Sequence, residues 1–287
     1  MKLKKIKVAL FSTTRAEFGI LRPLIKELQT NKMFITHFFV GGTHTLKKFG
    51  KTINEIKKSG IKIDKIFDYV NSKDDSFSIA NSMSLSSKKL SLIFRNFNFD
   101  FVIVLGDRYE LLPIILNAIL FKKIIVHIGG GETTQGIIDE QIRNMITKSA
   151  HIHFTSSKHY SKKLQSFGEN KKRIFNVGSL SVDSLLDLKR SKKIEIIEKF
   201  KLNAEYPIVI LTYHPTTLEF KISNEDQIKN IFMALSKFNL NLIVTAPNSE
   251  IGSESIRKII KHEVKKNSNY HFYESLGFEL YHQLLTY

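Results

Sequence analysis

Apolar residues in this chain gather into short runs rich in Ile, Val, Phe and Leu, which recur at 6–11, 35–40, 61–69, 101–105, 124–127, 152–155, 174–177, 208–212, 242–245 and 270–273. Each has the length and β-branched content of a strand. Between the runs the period changes. Residues 18–28 set Leu21, Leu24, Ile25 and Leu28 on one helical face, and residues 228–238 do the same with Ile228, Ile231, Phe232 and Leu235. Strand alternating with helix predicts a doubly wound parallel α/β architecture with right-handed crossovers.

Ten such units are more than one simple open sheet holds, and residues 180–202 read as a long, lysine-rich connecting helix. Two Rossmann-like domains are therefore predicted, 1–180 and 181–287, with no repeat, low-complexity tract or Gly/Ser linker between them. The second has only three strand–helix units and ends on an apolar helical pattern over 278–285, which limits what it can bury and marks it as incomplete.

Composition narrows the chemistry. The chain has 287 residues and no cysteine, so a disulfide framework, a thiolate metal site and a thiol nucleophile are all excluded, and a reducing cytoplasm fits. At the start, MKLKKIKVALFS has too short an apolar stretch for a signal sequence and reads as the first strand. The longest apolar stretch, near 113–121, is interrupted by Asn117 and falls short of a membrane span, so a soluble protein is expected. The formal charge of +17 rests on 36 lysines and eight arginines. Scattered lysines of this kind describe a solvated surface rather than specific nucleic-acid recognition, which calls for clustered Arg with interleaved aromatics.

Residues able to do chemistry fall at the carboxyl ends of the strands, where open α/β sheets bind ligands. The first strand runs into Ser12-Thr13-Thr14-Arg15, the fourth into Gly106-Asp107-Arg108 and the fifth into His127 and a glycine triplet, Gly129 to Gly131, followed by Glu132. In the second domain the tips carry Tyr213-His214-Pro215 and Pro247-Asn248. The triplet would let backbone approach a ligand closely. A helix after it buries Ile138, Ile142 and Ile146 and carries Asp139 and Arg143 four apart on one face. Arg15, Arg108 and His214 suit an anionic leaving group, while Asp107, Glu132 and Asp139 could share proton transfers.

Each has a plainer reading too. Asp107-Arg108 can be a turn pair, Asp139 and Arg143 a simple helix salt bridge, and His214 a residue shaping the turn before proline. Thr147 and Lys148 suit a helix end. His151 and His153 alternate on a strand, but a metal site needs a third ligand that the spacing does not offer. Neither a G-x-G-x-x-G fingerprint nor a phosphate loop is present.

Taken together, TTRAEFGILRPLIKEL at 13–28, VLGDRYELL at 104–112, HIGGGETTQGIIDEQIRNMITKSAHIHFTSS at 127–157, FNVGSLSVDSL at 175–185, TYHPTT at 212–217 and APNSEIGS at 246–253 resemble the hydrolysing UDP-N-acetylglucosamine 2-epimerase family of sialic and legionaminic acid biosynthesis. The resemblance implies a glycosyltransferase-B-like fold, two Rossmann-like domains facing across a cleft that holds a nucleotide sugar. It implies elimination of UDP to give an enzyme-bound 2-acetamidoglucal, then addition of water with inversion at C2 to give N-acetylmannosamine. By matching motif, Asp107, Glu132 and Asp139 are the proton-handling acids, Arg143 supports them, and Arg15, Arg108, His214 and Asn248 bind the nucleotide diphosphate, with His214 also in the catalytic set. No metal or cofactor is implied, and the full-length relatives are homo-oligomers.

One departure is plain: the family continues past ESLGFELYHQLLTY at 274–287 into a strand and a Ser-rich loop with a downstream Glu. The chain is therefore read as a C-terminally truncated form with impaired nucleotide binding. The alternatives are a remnant acting only as a binding protein and a glycosyltransferase of the same fold. UDP or GDP, and N-acetylglucosamine or a 2,4-diacetamido-6-deoxy sugar, are left open.

Overall fold

In the computed structural model, which describes residues 4–70, 73–186, 188, 191–218 and 221–287, strands and helices alternate along the whole chain. The first sheet is built from β1 (Ile6–Ser12), β2 (Phe34–Gly41), β3 (Lys65–Phe67), β4 (Phe101–Leu105), β5 (Ile124–Ile128), β6 (Ile152–Thr155) and β7 (Ile174–Asn176). Its order is β3-β2-β1-β4-β5-β6-β7, every pair parallel. The connecting helices are α1 (Arg15–Thr30), α2 (Ile53–Lys58), α3 (Ser76–Asn96), α4 (Leu112–Leu120), α5 (Asp139–Ser149), α6 (Lys158–Ser166) and α7 (Leu180–Leu186). A second parallel sheet, ordered β10-β9-β8, contains β8 (Ile208–Thr212), β9 (Asn241–Thr245) and β10 (Tyr270–Tyr273), with α8 (Lys193–Phe200), α9 (Asn224–Leu235), α10 (Ser253–Val264) and α11 (Gly277–Leu284) around it.

The continuous apolar runs follow from burial on both faces. In β1, β2 and β4, Ala9, Phe11, Phe39, Val102 and Val104 point to one core with α3 and α4, while Val8, Leu10, Phe38, Val40 and Ile103 point to another with α1 and α2. In the second sheet, Leu242 and Val244 meet α9 and α10, and Ile243 turns to α8 and α11. Strand order reverses between β1 and β4, and a crevice opens outside the ends of such neighbours.

Two expectations are corrected. The strand expected at 61–69 is only Lys65–Phe67, because Asp64 Oδ2 accepts the N–H of Phe38 at 2.9 Å and replaces the next ladder bond with a side chain. The long helix expected over 180–202 is two helices, with residues 188, 191 and 192 non-helical between them; 187, 189 and 190 lie outside the described residues. Their apolar faces serve different cores: α7 lies on α1, where Ser184 Oγ donates to the carbonyl of Gly19 at 3.1 Å, while Ile196 and Phe200 of α8 pack under the second sheet. One straight rod could not bury both.

Gly19 also lets α11 approach α1. A methyl group at this position would lie 2.5 Å from Cδ2 and 3.3 Å from Cβ of Phe278. Alanine in a helix interior gains about 1 kcal/mol over glycine, but overpacking costs about 1–3 kcal/mol, so G19A is expected to destabilise. Thermal melts check this: G19A should melt lower than the parent, and F278A should add less to G19A than to the parent; a higher melting temperature for G19A would show that the helices part without strain.

Candidate active site

At the tip of β1 the chain is pinned by an acid. Glu17, in the first turn of α1, accepts from the amides of Thr13 at 2.7 Å and Thr14 at 3.1 Å and from the Thr13 hydroxyl at 2.9 Å. Burial raises its pKa to about 7 despite the Thr13 amide, which opposes the rise. The carbonyl of Thr13 in turn accepts from the amide of Thr43 at 2.9 Å. With both sides of the turn held, Arg15 is aimed across the crevice, where it donates to the carbonyls of Glu274 and, at 3.0 Å, Ala246.

The β4 tip meets α5. Arg143, buried on that helix, pairs with Asp107 and also donates to Glu140 and to Thr134 Oγ1, each at 3.1 Å. The helix salt bridge expected between Asp139 and Arg143 is not formed: the guanidinium turns to the strand tip and to Glu140, the acid three residues before it. Among the described residues no ion pair reaches Asp139. Its pKa is raised to about 6, mainly by burial, with Arg108 opposing and the charges of Asp107 and Glu250 adding to the rise. Two neighbouring carboxylates thus sit in different surroundings, one clamped by a cation and one held towards its neutral form.

Next to them Arg108 joins the two sheets' loops. It donates to both oxygens of Glu110 at 3.1 Å, to Glu250 at 2.7 Å and to Ser249 Oγ at 2.9 Å. Burial alone would raise the pKa of Glu250, but Arg108 and His214 outweigh it and hold the carboxyl well below the usual range. His214 Nδ1 lies 3.5 Å from Glu250, and its half-exposed side chain is part of the lining of a cleft of about 240 Å³. Arg15, Asn248, Thr212, Ser275 and Tyr281 share that cleft, and Thr212 Oγ1 lies within 2.8 Å of Thr245 Oγ1 and 3.1 Å of the Tyr281 hydroxyl.

The sequence candidates therefore fall into two groups that meet at His214. Asp107, Arg108, Asp139 and Arg143 gather at the switch point of the first sheet; Arg15, His214 and Asn248 line the cleft. Glu132 is directed elsewhere, accepting from Ser156 Oγ at 2.7 Å near the tip of β6. Arg108 is engaged by protein carboxylates. The segment between Glu132 and Asp139 is clasped from both sides: Lys163 donates to Thr133 at 2.6 Å, the amide of Leu218 to the carbonyl of Gly136 at 3.0 Å, and the amide of Ile138 to Thr217 Oγ1 at 2.8 Å.

Two members of the glycine triplet make room for packing. A Cβ on Gly130 would crowd His127 Nδ1 at 3.0 Å and Thr147 Oγ1 at 3.1 Å, and one on Gly131 would press on the Tyr160 carbonyl and Leu164. Of the paired histidines, His151 accepts the amide of Ile125 at 3.1 Å, while His153 is buried near Glu169.

Sequence reasoning missed Glu17, Glu110, Glu140 and Glu250. The signal for Glu17 was present, since Thr14 followed three residues later by Glu marks a helix start with a back-reaching acid. The partners of Glu110 and Glu250 are set only by tertiary structure.

Comparison with known proteins places the chain in a family. Residues 26–287 match the family described as UDP-N-acetylglucosamine 2-epimerase. The chain is 34% identical over 285 residues to a GDP/UDP-N,N'-diacetylbacillosamine 2-epimerase (hydrolyzing) of Campylobacter jejuni, covering 99% of this chain and 74% of the relative. It is 29% identical over 255 residues to the UDP-N,N'-diacetylbacillosamine 2-epimerase (hydrolyzing) of Legionella pneumophila, covering 89% of this chain and 67% of that one. The crystal structure of UDP-GlcNAc 2-epimerase from Neisseria meningitidis bound to UDP-GlcNAc superposes with a TM-score of 0.79 at 18% identity, covering 98% of this chain and 76% of that chain, a likeness of fold. By its matching residues and its relatives, this chain belongs to the UDP-N-acetylglucosamine 2-epimerase family.

Proposed function

We propose that this protein is a hydrolysing 2-epimerase that acts on UDP-N-acetylglucosamine, or a related UDP- or GDP-linked 2-acetamido sugar, in sialic or legionaminic acid biosynthesis. The observation that carries this reading is the pair Asp107 and Asp139, two carboxylates that feel each other's charge in unlike environments and are linked through Glu250 and His214 to a cleft lined by Arg15, His214 and Asn248. The substrate lies between the units 1–180 and 181–287. A carboxylate, assigned here to Asp139, takes the proton from C2 while the C1–O bond to the diphosphate breaks, giving a 2-acetamidoglucal and the nucleoside diphosphate. Water then adds across the C1=C2 bond, hydroxyl to C1 and a proton to the opposite face of C2, which yields N-acetylmannosamine or its analogue. That second proton needs a different acid, the role given to Asp107; Glu132, turned to Ser156, serves only on leaving that bond. Arg15, His214 and Asn248 stabilise the departing diphosphate, and Arg108, whose guanidinium is taken up by Glu110 and Glu250, acts on it through Glu250 and His214.

Turnover in deuterium oxide tests the reaction. UDP-N-acetylglucosamine and its 2,4-diacetamido counterpart are to be offered, with release of nucleoside diphosphate and of free 2-epimerised sugar carrying one deuterium at C2 as the expected result. Diphosphate release that requires a sugar acceptor, or product without deuterium at C2, would replace the proposal with glycosyl transfer or simple hydrolysis.

Asp139→Asn is expected to lower kcat by about 10²–10⁴-fold with little change in KM, as loss of a general base does. Because the base must be ionised, kcat of the parent should fall as pH drops through about 6, and this acid limb should vanish in the residual activity of the variant.

The same substitution should stabilise the fold. A carboxyl whose folded pKa is raised favours folding while protonated, at pH below its unfolded value, and loses that contribution as pH rises through about 6. With discount for its partial exposure, D139N should therefore exceed the parent by about 1–2 kcal/mol at pH 8 and by nothing at pH 3 in denaturant melts. An equal or lower stability at pH 8 would show that Asp139 is well solvated.

A further inference from the structure

His127 has no part in the scheme above, yet its buried ring sits between the two segments that bring Asp107 and Arg143 together. Nε2 lies 2.8 Å from the carbonyl oxygen of Gly106, and Nδ1 lies 3.2 Å from Thr147 Oγ1. A carbonyl can only accept, so the ring proton is on Nε2, and Nδ1 receives the Thr147 hydroxyl. Burial keeps the imidazole neutral, pushing its pKa down to about 4 against the pull of the Gly106 carbonyl, and the charges of His153 and Arg143 act in the same direction as burial.

Both anchors adjoin the acid cluster. Gly106 immediately precedes Asp107, and its φ of +85° lies in the left-handed region that glycine adopts without steric cost. Its amide is held by the carbonyl of Ile128 at 2.9 Å and its carbonyl by His127. Thr147 stands one turn beyond Arg143 on the same face of α5. The space that Gly130 leaves open, where a Cβ would come within 3.0 Å of Nδ1 and 3.1 Å of Thr147 Oγ1, is what lets the bond between ring and hydroxyl form.

We infer that His127 is a positioning residue, tying the tip of β4 to α5 through Gly106 and Thr147 and thereby holding Asp107 and Arg143 at pairing distance. Its catalytic consequence rests on the proposed 2-epimerase reading; its geometric one does not. A misplacement of the order of 1 Å at a reacting group can cost about 100-fold in rate, which is ample reason for a dedicated brace.

The test uses T147V, which keeps shape and removes the hydroxyl, H127L, which removes both bonds, and H127Q, whose amide can offer its nitrogen to the Gly106 carbonyl and its oxygen to the Thr147 hydroxyl. In the parent, nitrogen-resolved NMR should show the ring proton on Nε2, no titration of His127 between about pH 5 and 8, and resolved guanidinium protons of an immobilised Arg143. T147V and H127L should lose the resolved Arg143 signals and lower kcat by about 10–100-fold with KM within a few fold, while H127Q retains most turnover. A proton on Nδ1, or Arg143 signals that persist in T147V and H127L, overturns the inference whatever happens to turnover. T147V decides the point if H127L does not fold. Should the parent show no epimerase turnover, that reading of the function fails, and the Arg143 signals still decide the positioning role.

Discussion

Arg108 is a buried cation whose two counter-charges come from different parts of the chain. Glu110, two residues on, occupies one edge of the guanidinium; Glu250, from the loop after β9, occupies the other. A guanidinium cannot shed its proton, and a buried charge left without its partner costs several kcal/mol. The first sheet's switch point is therefore electrostatically complete only with the second sheet's loop seated against it. Ser249 and the Tyr109 hydroxyl, which donates to the carbonyl of Ser249 at 3.2 Å, reinforce the same junction. Because Glu250 also faces His214 and its charge helps hold Asp139 towards neutrality, the cluster places the imidazole and tunes the acid together.

Much of the architecture was legible in the chain. Strands covered on both faces must be apolar throughout, so the ten runs stood out, and their polar tips pointed to one crevice. Legibility failed where side chains do backbone work, as Asp64 does before β3, and where one helical pattern spans two cores, as at 180–202. At the candidate site, residue types could be read but not pairings. Spacing along a helix suggested Asp139 for Arg143; the fold instead supplied Asp107, 36 positions earlier, and left Asp139 unpaired among the described residues. Glu132, third in the expected trio, was drawn towards Ser156 by the neighbouring strand. Glycine is similarly ambiguous in a sequence: room for a ligand and room for a neighbouring side chain look alike, and Gly130 provides the second.

The segment from Thr133 to Ile138 is hooked to residues 217 and 218 by two hydrogen bonds, and those residues follow directly on the tip that carries His214. The hooked segment leads straight into Asp139. The two bonds thus tie the approach to the Asp139 carboxyl to the approach to the His214 imidazole, so neither wall of the crevice can shift without the other unless both bonds break.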